Sequence, residues 1–310
     1  MLACITTANV ALADDLNYPA ERLNYTIAFG PGGGNDLMSR TLVDILKKDK
    51  LYTENIRIDN LAGGSGAVGF NYVAQKKGSA YNITSTSGNF LGTPLVSDTG
   101  WTYKDFTPIG LLAQDAMFLI VRDDTPFKTA KDFVEYAKSN RVTIGGTGAT
   151  GPERVVASLF AEKAGFDFDY VPSQDGGGMV TSLTSKSVMA IIANPSEVSG
   201  QIKAGNFRAL AYSESQRSTV YKDVPTFIEQ GYEFSFSLPR GVVMPADIDP
   251  QVRDWWVNTL KQVVETPEWK KYLNTNSLSG NTVWGDDFAS NLAKTNEDFK
   301  RVLTQIGAIK

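Results

Sequence analysis

Apolar positions along the chain follow two spacings that alternate from one segment to the next. Short apolar runs with the length of a strand occur before Gly30 and at 55–60, 81–88 and 142–146. Most of these runs lead into a stretch whose apolar residues recur at helical spacing. Strands that alternate with helices are typical of an α/β fold with mostly parallel sheets.

Several elements stand out from this pattern. The apolar face of the first helix is formed by Leu37, Met38, Thr41, Leu42, Ile45 and Leu46. Two long apolar strands are predicted within 106–124, and a helix near 129–139 is introduced by Thr129. Beyond 240–245 the pattern is mainly helical, with one face formed by Val252, Trp255, Trp256, Leu260 and Val263. Further strand-to-loop units are predicted at 166–185, 187–198 and 207–215.

Two of the strand-to-helix junctions are rich in glycine and therefore present uncovered backbone N–H groups. At the start of a helix the helix dipole favours an anion, by about 0.3–1 kcal/mol and up to roughly 2 kcal/mol when partly buried. Two such ends that face one cleft can hold a carboxylate. The first junction consists of Gly30, Pro31, Gly32, Gly33, Gly34, Asn35 and Asp36. The other consists of Thr147, Gly148, Ala149, Thr150 and Gly151.

Two charged residues beside these junctions need separate explanations. The carboxylate of Asp36 would repel an anion, so we expect this residue to cap the helix or to fix the loop. Arg154 is predicted to be the one cation near either junction that can reach a ligand. The alternative for Arg154 is a solvated position in the first helical turn.

A further junction, at 62–76, contains a literal G-x-G-x-x-G at Gly64, Gly66 and Gly69. Between a strand and a helix, this pattern occurs in dinucleotide-binding enzymes. No acidic residue follows about twenty positions later to hold a ribose, so close packing of helix on strand is the preferred explanation. A nucleotide-cofactor α/β enzyme is one alternative function, and a secreted adhesion or scaffold domain without a small ligand is another.

The amino-acid composition excludes several kinds of catalytic and metal-binding site. The chain has 310 residues, a formal net charge of −4 and no histidine. Ser-His-Asp and Cys-His catalysis and histidine-containing zinc sites are therefore excluded. Basic residues are scattered rather than clustered, which argues against nucleic-acid binding. We expect a binding protein without catalytic residues, metal or cofactor.

The N-terminal segment 1–13 is apolar and rich in small residues, and an A-x-A pattern precedes Asp14. This composition is typical of the end of a secretory signal peptide, although no Lys or Arg precedes Arg22. The alternative is a frayed N-terminus of a cytosolic protein. The signal-peptide interpretation predicts a periplasmic protein.

Several segments follow one another in a characteristic order: PGGGND, NLAGGSGAVGFNYVA, DFTPIGLLAQ, TIGGTGATG, YVPSQDGGG, RALAYSESQR and DVPTFIEQGYE. In motif and order they resemble the Bug-type periplasmic receptors, which are the solute-binding proteins of tripartite tricarboxylate transporters. The first segment is similar to the family's P-G-G-x-x-D, and Arg40 stands where the family's helix carries arginine. The resemblance spans nearly all of the chain after residue 24.

This resemblance implies a Venus flytrap clamp of two α/β domains with two hinge crossings. Domain 1 would combine 22–113 with 240–310, and domain 2 would hold 114–239. The implied ligand is a small organic acid, preferably a di- or tricarboxylate, whose carboxylate is held by main-chain N–H groups and waters of 30–36 and 147–151. The implied partners are the membrane subunits of the transporter. We also expect a monomer.

The chain departs from the family pattern where the far end of a ligand would lie. The family's V-P-Y-K-G becomes VPSQDGG, which places Ser173 and Gln174 at the aromatic and basic positions, and Arg154 replaces a frequent histidine. Selectivity is predicted to come from residues in loops that follow strands. They are Ser87, Asn89, Phe90, Asn194 and Ser196. Phe90 is expected to form an aromatic wall, with core packing as its alternative.

Overall fold

The computed structural model describes residues 16–32, 34–147, 149, 151–173, 176–218, 220–305 and 307–309. The predicted signal-peptide segment 1–13 lies outside the described residues. The same holds for four of the predicted site residues, which are Gly33, Gly148, Thr150 and Gln174. What was predicted for these positions stays a prediction.

Strands and helices alternate along the described chain as the apolar pattern predicts. The strands are β1 (Leu23–Ile27), β2 (Ile56–Asn60), β3 (Asn82–Ser85), β4 (Phe106–Ala116), β5 (Phe118–Arg122), β6 (Val142–Thr147), β7 (Phe168–Ser173), β8 (Ala190–Ala193), β9 (Phe207–Tyr212), β10 (Ser237–Pro245) and β11 (Val283–Trp284). The helices are α1 (Gly34–Lys48), α2 (Ala67–Ala74), α3 (Gly88–Val96), α4 (Ala130–Ala137), α5 (Pro152–Ala164), α6 (Gly176–Thr184), α7 (Pro195–Lys203), α8 (Pro250–Glu265), α9 (Pro267–Asn276) and α10 (Gly285–Gln305).

These strands form two sheets of mixed direction. The first has the order β11-β4-β10-β3-β1-β2 and the second the order β7-β6-β8-β5-β9. Strand β1 is parallel to β2 and β3, and β6 is parallel to β7 and β8. Every described antiparallel pair includes β4, β5 or β10, which carry the chain between the sheets. The two-domain α/β fold is confirmed. The sheets are mixed rather than mostly parallel, because strands that carry the chain away from a sheet and back to it, such as β4 and β10, run in opposite directions.

The chain passes between the sheets twice, from β4 to β5 and from β9 back to β10. Ser213 ties the two crossings together, because its Oγ accepts a hydrogen bond from the Met117 N–H at 2.9 Å and donates to the Phe236 carbonyl at 2.6 Å. The crossings lie close to the predicted domain bounds at 113/114 and 239/240. Those bounds stay a prediction.

The glycines of the G-x-G-x-x-G junction are explained by packing and turn geometry. A Cβ at Gly69 would lie 2.5 Å from the Ala28 Cα and 2.8 Å from the Leu61 carbonyl oxygen. Helix α2 can therefore lie on β1 only with glycine at this position. Gly64 and Gly66 adopt φ values of +55° and +93°, which side chains disfavour. This junction needs no bound nucleotide to account for its sequence.

The helices cover the sheets with the apolar faces that the sequence predicts. On α8, Val252, Trp256 and Val263 are buried, while Trp255 is only partly covered. On α1, Leu37 of the predicted face is exposed instead. None of the helices in the described part of the chain is long and apolar enough to cross a membrane.

Candidate ligand-binding cleft

A cavity of about 280 Å³ lies where loops of the first sheet meet the start of α5 and the crossing strands β4 and β10. Its lining consists of Phe29, Gly34, Asn35, Ser87, Gly88, Asn89, Asp115, Pro152, Leu238 and Arg240. An adjoining cavity of about 480 Å³ shares Gly88, Asn89 and Pro152 with it and reaches Gly151. The two cavities together are called the cleft below. The structure thus brings together five of the predicted residues, which are Gly34, Asn35, Ser87, Asn89 and Gly151.

Other predicted residues do not line the cleft. Exposed positions outside it are Gly30, Pro31, Gly32, Ala149 and Ser196. Half-buried positions outside it are Thr147, Ser173 and Asn194.

Asp36 fixes the first junction in place. Its carboxylate accepts hydrogen bonds from the Gly32 N–H at 2.9 Å, from Arg40 Nε at 3.0 Å and from Asn60 Nδ2 at 2.9 Å. The hydrogen bond from Arg40 is the largest cause that lowers the pKa of Asp36 to about 2. Asp36 therefore fixes the loop, as expected. It also accepts the hydrogen bond of the Gly32 N–H, which was predicted to bind the ligand.

Two polar atoms at the start of α1 and α3 lack hydrogen-bond partners among the residues that the structure describes. Asn35 donates its Nδ2 hydrogens to the carbonyls of Ser85 and Thr86 at 3.2 and 3.0 Å, while its Oδ1 is buried and unpartnered. The Ser87 Oγ is also buried and unpartnered. Unpaired buried polar atoms are costly. A ligand in the cleft that bonds to these two atoms would remove that cost.

Arg240 is a cation of the cleft that sequence reasoning missed. Its Nε donates to Asp115 Oδ2 at 3.1 Å and its Nη2 bonds the same oxygen, while Nη1 would lie 2.7 Å from a Cβ at Gly34. Asp115 Oδ1 in turn accepts from Asn194 Nδ2 at 2.6 Å. The pair is mostly buried. An arginine within the apolar run of β10 is the signal that could have indicated it.

Arg154 does not have the solvated environment that was its alternative explanation. Its guanidinium carbon lies 4.6 Å from the ring centroid of Tyr170 and 5.5 Å from that of Phe168. The residue is half-buried and its Nε is buried, and this desolvation lowers the pKa of Arg154. The prediction that it is the one cation near either junction is wrong, because Arg240 packs against the first. A contact between Arg154 and a ligand stays a prediction.

The aromatic wall predicted at Phe90 is wrong. Phe90 is fully buried and packs in an aromatic cluster with Phe70, Trp101 and Phe106, at centroid distances of 5.1, 5.7 and 5.0 Å. It follows Asn89 on α3, and successive helical residues point in different directions. The polar neighbour therefore faces the cleft, while the aromatic ring fills the core.

Glu153 is a buried carboxyl group at the start of α5. It is 4% exposed, its Oε2 has no hydrogen-bond partner in the described part of the chain, and this oxygen would lie 2.8 Å from a Cβ at Gly151. Burial raises the pKa of Glu153 to about 7, against the lowering effect of its own N–H and the Thr147 hydroxyl. Within the part of the chain that the structure describes, no three Cys, Asp or Glu side chains are grouped so as to hold a metal ion.

Comparison with known proteins identifies the family. The model of the tripartite tricarboxylate transporter family receptor matches residues 39–308, which is most of the chain. The chain belongs to this family. It is thus a member of a family of transporter receptors, and the predicted resemblance is confirmed.

The chain is similar to several proteins of known sequence or structure. It is 27% identical to Protein BugT of Bordetella pertussis over 256 residues, which cover 80% of this chain and 78% of BugT. A TctC solute binding protein from Polaromonas, solved without ligand, superposes with a TM-score of 0.87 at 24% identity, over 93% of this chain and 99% of the other. An R. palustris protein solved with adipate has a TM-score of 0.71 at 20% identity, over 94% and 99%. At these identities the two structures show the shared periplasmic-binding-protein fold alone.

The raised pKa of Glu153 makes the stability of this receptor depend on pH. The unfolded chain releases the proton near the ordinary value of 4.5 and the folded chain near 7, so the stability from this group is complete below 4.5 and lost as pH rises through 7. Glu153→Gln is therefore expected to be more stable than the wild type above pH 8, by up to about 3 kcal/mol. Urea denaturation across pH 5–9 measures this, with the exposed Glu135→Gln as control. A stability difference that does not change with pH would contradict the assignment.

Proposed function

We propose that this protein is a periplasmic receptor that binds a small organic acid in the cleft and delivers it to the membrane subunits of a tripartite tricarboxylate-type transporter. The main support for the proposal is that a helix N-terminus lies next to a guanidinium group. The start of α1 at Gly34 lies against Arg240 Nη1 on the wall of one cavity. Both groups attract a carboxylate.

The unpartnered atoms of the same wall support this function. Ser87 Oγ can donate a hydrogen bond to a carboxylate, and Asn35 Oδ1 can accept one from a hydroxyl, an amino group or a water. The adipate present in the R. palustris structure is an acid of this kind. Ligand binding alone accounts for the features of this cleft, and we propose no reaction in it.

The ligand-binding residues are proposed in two groups. The first contacts the acid directly from the first sheet and consists of Gly34, Asn35, Ser87, Asn89 and Arg240. The second closes over it from the loops of the second sheet and consists of Thr147, Gly148, Ala149, Thr150, Gly151, Arg154, Ser173, Gln174, Asn194 and Ser196. Gly30, Pro31, Gly32 and Gly33, with Asp36 behind them, shape the first junction.

A thermal-shift screen tests the function against its alternatives. The panel contains mono-, di- and tricarboxylates, with and without amino groups, beside NAD, FAD and ATP. We expect at least one acid and none of the nucleotides to raise the melting temperature. Stabilisation by a nucleotide and by no acid would favour the cofactor-binding enzyme, and no stabilisation by any compound would favour the scaffold domain.

The role of the glycine backbone is tested with a matched pair of variants. In Gly34→Ala the new methyl group would meet the Arg240 guanidinium at 2.7 Å, whereas a Cβ at Gly30 meets no atom within 4 Å. We expect Gly34→Ala to weaken binding of the acid by roughly tenfold, and Gly30→Ala to bind normally. Calorimetric titration measures both. Equal affinities for the two variants would remove the start of α1 from the site.

A further inference from the structure

Three carboxyl groups lie where β4 of the first sheet meets the first turns of α5 and α7. Asp115, Glu153 and Glu197 act on one another: besides burial, the charges of Glu197 and Asp115 raise the pKa of Glu153, and Asp115 also raises that of Glu197. Arg240 is already paired with Asp115. Arg154 is stacked on aromatic rings and pairs with no carboxylate of the described residues. Above pH 7, where Glu153 is ionised, carboxylates therefore outnumber cations among the described residues at this end of the cleft.

Two buried polar groups at this end have no hydrogen-bond partner among the described residues. Glu153 Oε2 is unpartnered in a side chain that is only 4% exposed, and the Tyr170 hydroxyl is unpartnered too. They are neighbours, because a Cβ added at Gly146 would collide with both the Tyr170 Oη and the Glu153 Cβ. Glu153 Oε2 lies next to Gly151, and Gly151 and Pro152 line the cleft. Both groups can accept hydrogen bonds.

We infer that the cleft selects acids whose remote end carries an amino group or another cationic hydrogen-bond donor, which Glu153 and Tyr170 accept, over dicarboxylates of the same length. This inference rests on the proposed function, since the carboxylate of the same ligand is held at Gly34 and Arg240. It makes Glu153 a specificity-determining residue of the receptor.

The physical reason is the sign of the charge that meets Glu153. An ammonium group donates hydrogen bonds to a buried carboxylate and neutralises it. Above pH 7, where Glu153 is ionised, a second ligand carboxylate at the same place offers only acceptors and adds a like charge in a poorly solvated environment. The predicted preference for di- or tricarboxylates is the opposite expectation, and the same measurement distinguishes the two.

Calorimetric titration of the wild-type protein with matched pairs of acids, at a pH well above 7 so that Glu153 is ionised, provides the test. The pairs are γ-aminobutyrate against succinate, δ-aminovalerate against glutarate, and ε-aminocaproate against adipate. In the pair that binds best, we expect the amino acid to bind roughly tenfold or more tightly than the dicarboxylate. A dicarboxylate that binds as tightly as its partner, or more tightly, overturns the inference while the proposed function stands.

The variant Glu153→Gln connects the preference to one side chain. It keeps the size of the residue and removes its charge, so we expect the amino acid to lose roughly tenfold in affinity and the dicarboxylate to lose none. Glu135→Gln removes a carboxylate from exposed α4 and is expected to keep the wild-type ratio. An unchanged ratio in Glu153→Gln overturns the inference. If no acid of any pair or of the thermal-shift panel binds, the proposed function and the inference both fail.

Discussion

Replacing Arg240 by methionine is expected to lower the free energy of unfolding by about 3–5 kcal/mol and to weaken binding of the acid by at least roughly tenfold. The guanidinium of Arg240 holds the mostly buried carboxylate of Asp115 through Nε and Nη2. Removing the cation leaves Asp115 charged and poorly solvated between the two sheets. It also removes the positive group beside the start of α1. Urea denaturation and calorimetry measure the two effects.

A double variant separates stability from binding. When Asp115→Asn accompanies Arg240→Met, no buried charge is left unpaired, so most of the lost stability is expected to return. Affinity for the acid is expected to stay low, because the cation is still missing. If Arg240→Met alone binds the acid as tightly as the wild type, Arg240 stabilises the fold but does not contribute to ligand binding.

Truncating Phe90 to alanine is expected to cost about 3–5 kcal/mol in the free energy of unfolding without changing which acids bind. The ring is fully buried among Phe70, Trp101 and Phe106, so its removal leaves a cavity in the aromatic cluster. Because it does not line the cleft, the order of affinities among the acids should be that of the wild type.

Phe90→Leu is the matched control for this prediction. It keeps most of the volume and is expected to cost less than about 1.5 kcal/mol, which leaves a protein stable enough for a full titration series. A changed order of affinities in Phe90→Leu would mean that the ring reaches the ligand after all, and that its burial does not describe the bound state.

The local elements of this protein were determined by the spacing of its apolar residues. The helical faces of α1 and α8 follow from a period of 3.6 residues, and the strands β4 and β5 follow from two long apolar runs; both signals act within one segment. The glycine-rich start of α1 could also be interpreted from the sequence, because uncovered N–H groups at a helix start are a local property. The order of motifs then indicated the family and its two-domain clamp.

Contacts between distant segments were decided only by the tertiary structure. The insertion of β10 between β3 and β4 makes the first sheet mixed, and no nearby residue specifies which strands a late segment will join. The same insertion places Arg240 beside Gly34, two residues that are far apart in the chain.

The burial and the charge of the site residues were also decided by the tertiary structure. Phe90 and Asn89 are adjacent in sequence, yet one fills the core and the other lines the cleft, because the direction of α3 against the sheet determines which side each faces. Glu153 is an ordinary glutamate in sequence. Its raised pKa comes from burial and from the charges of Glu197 and Asp115, which the fold alone brings near it.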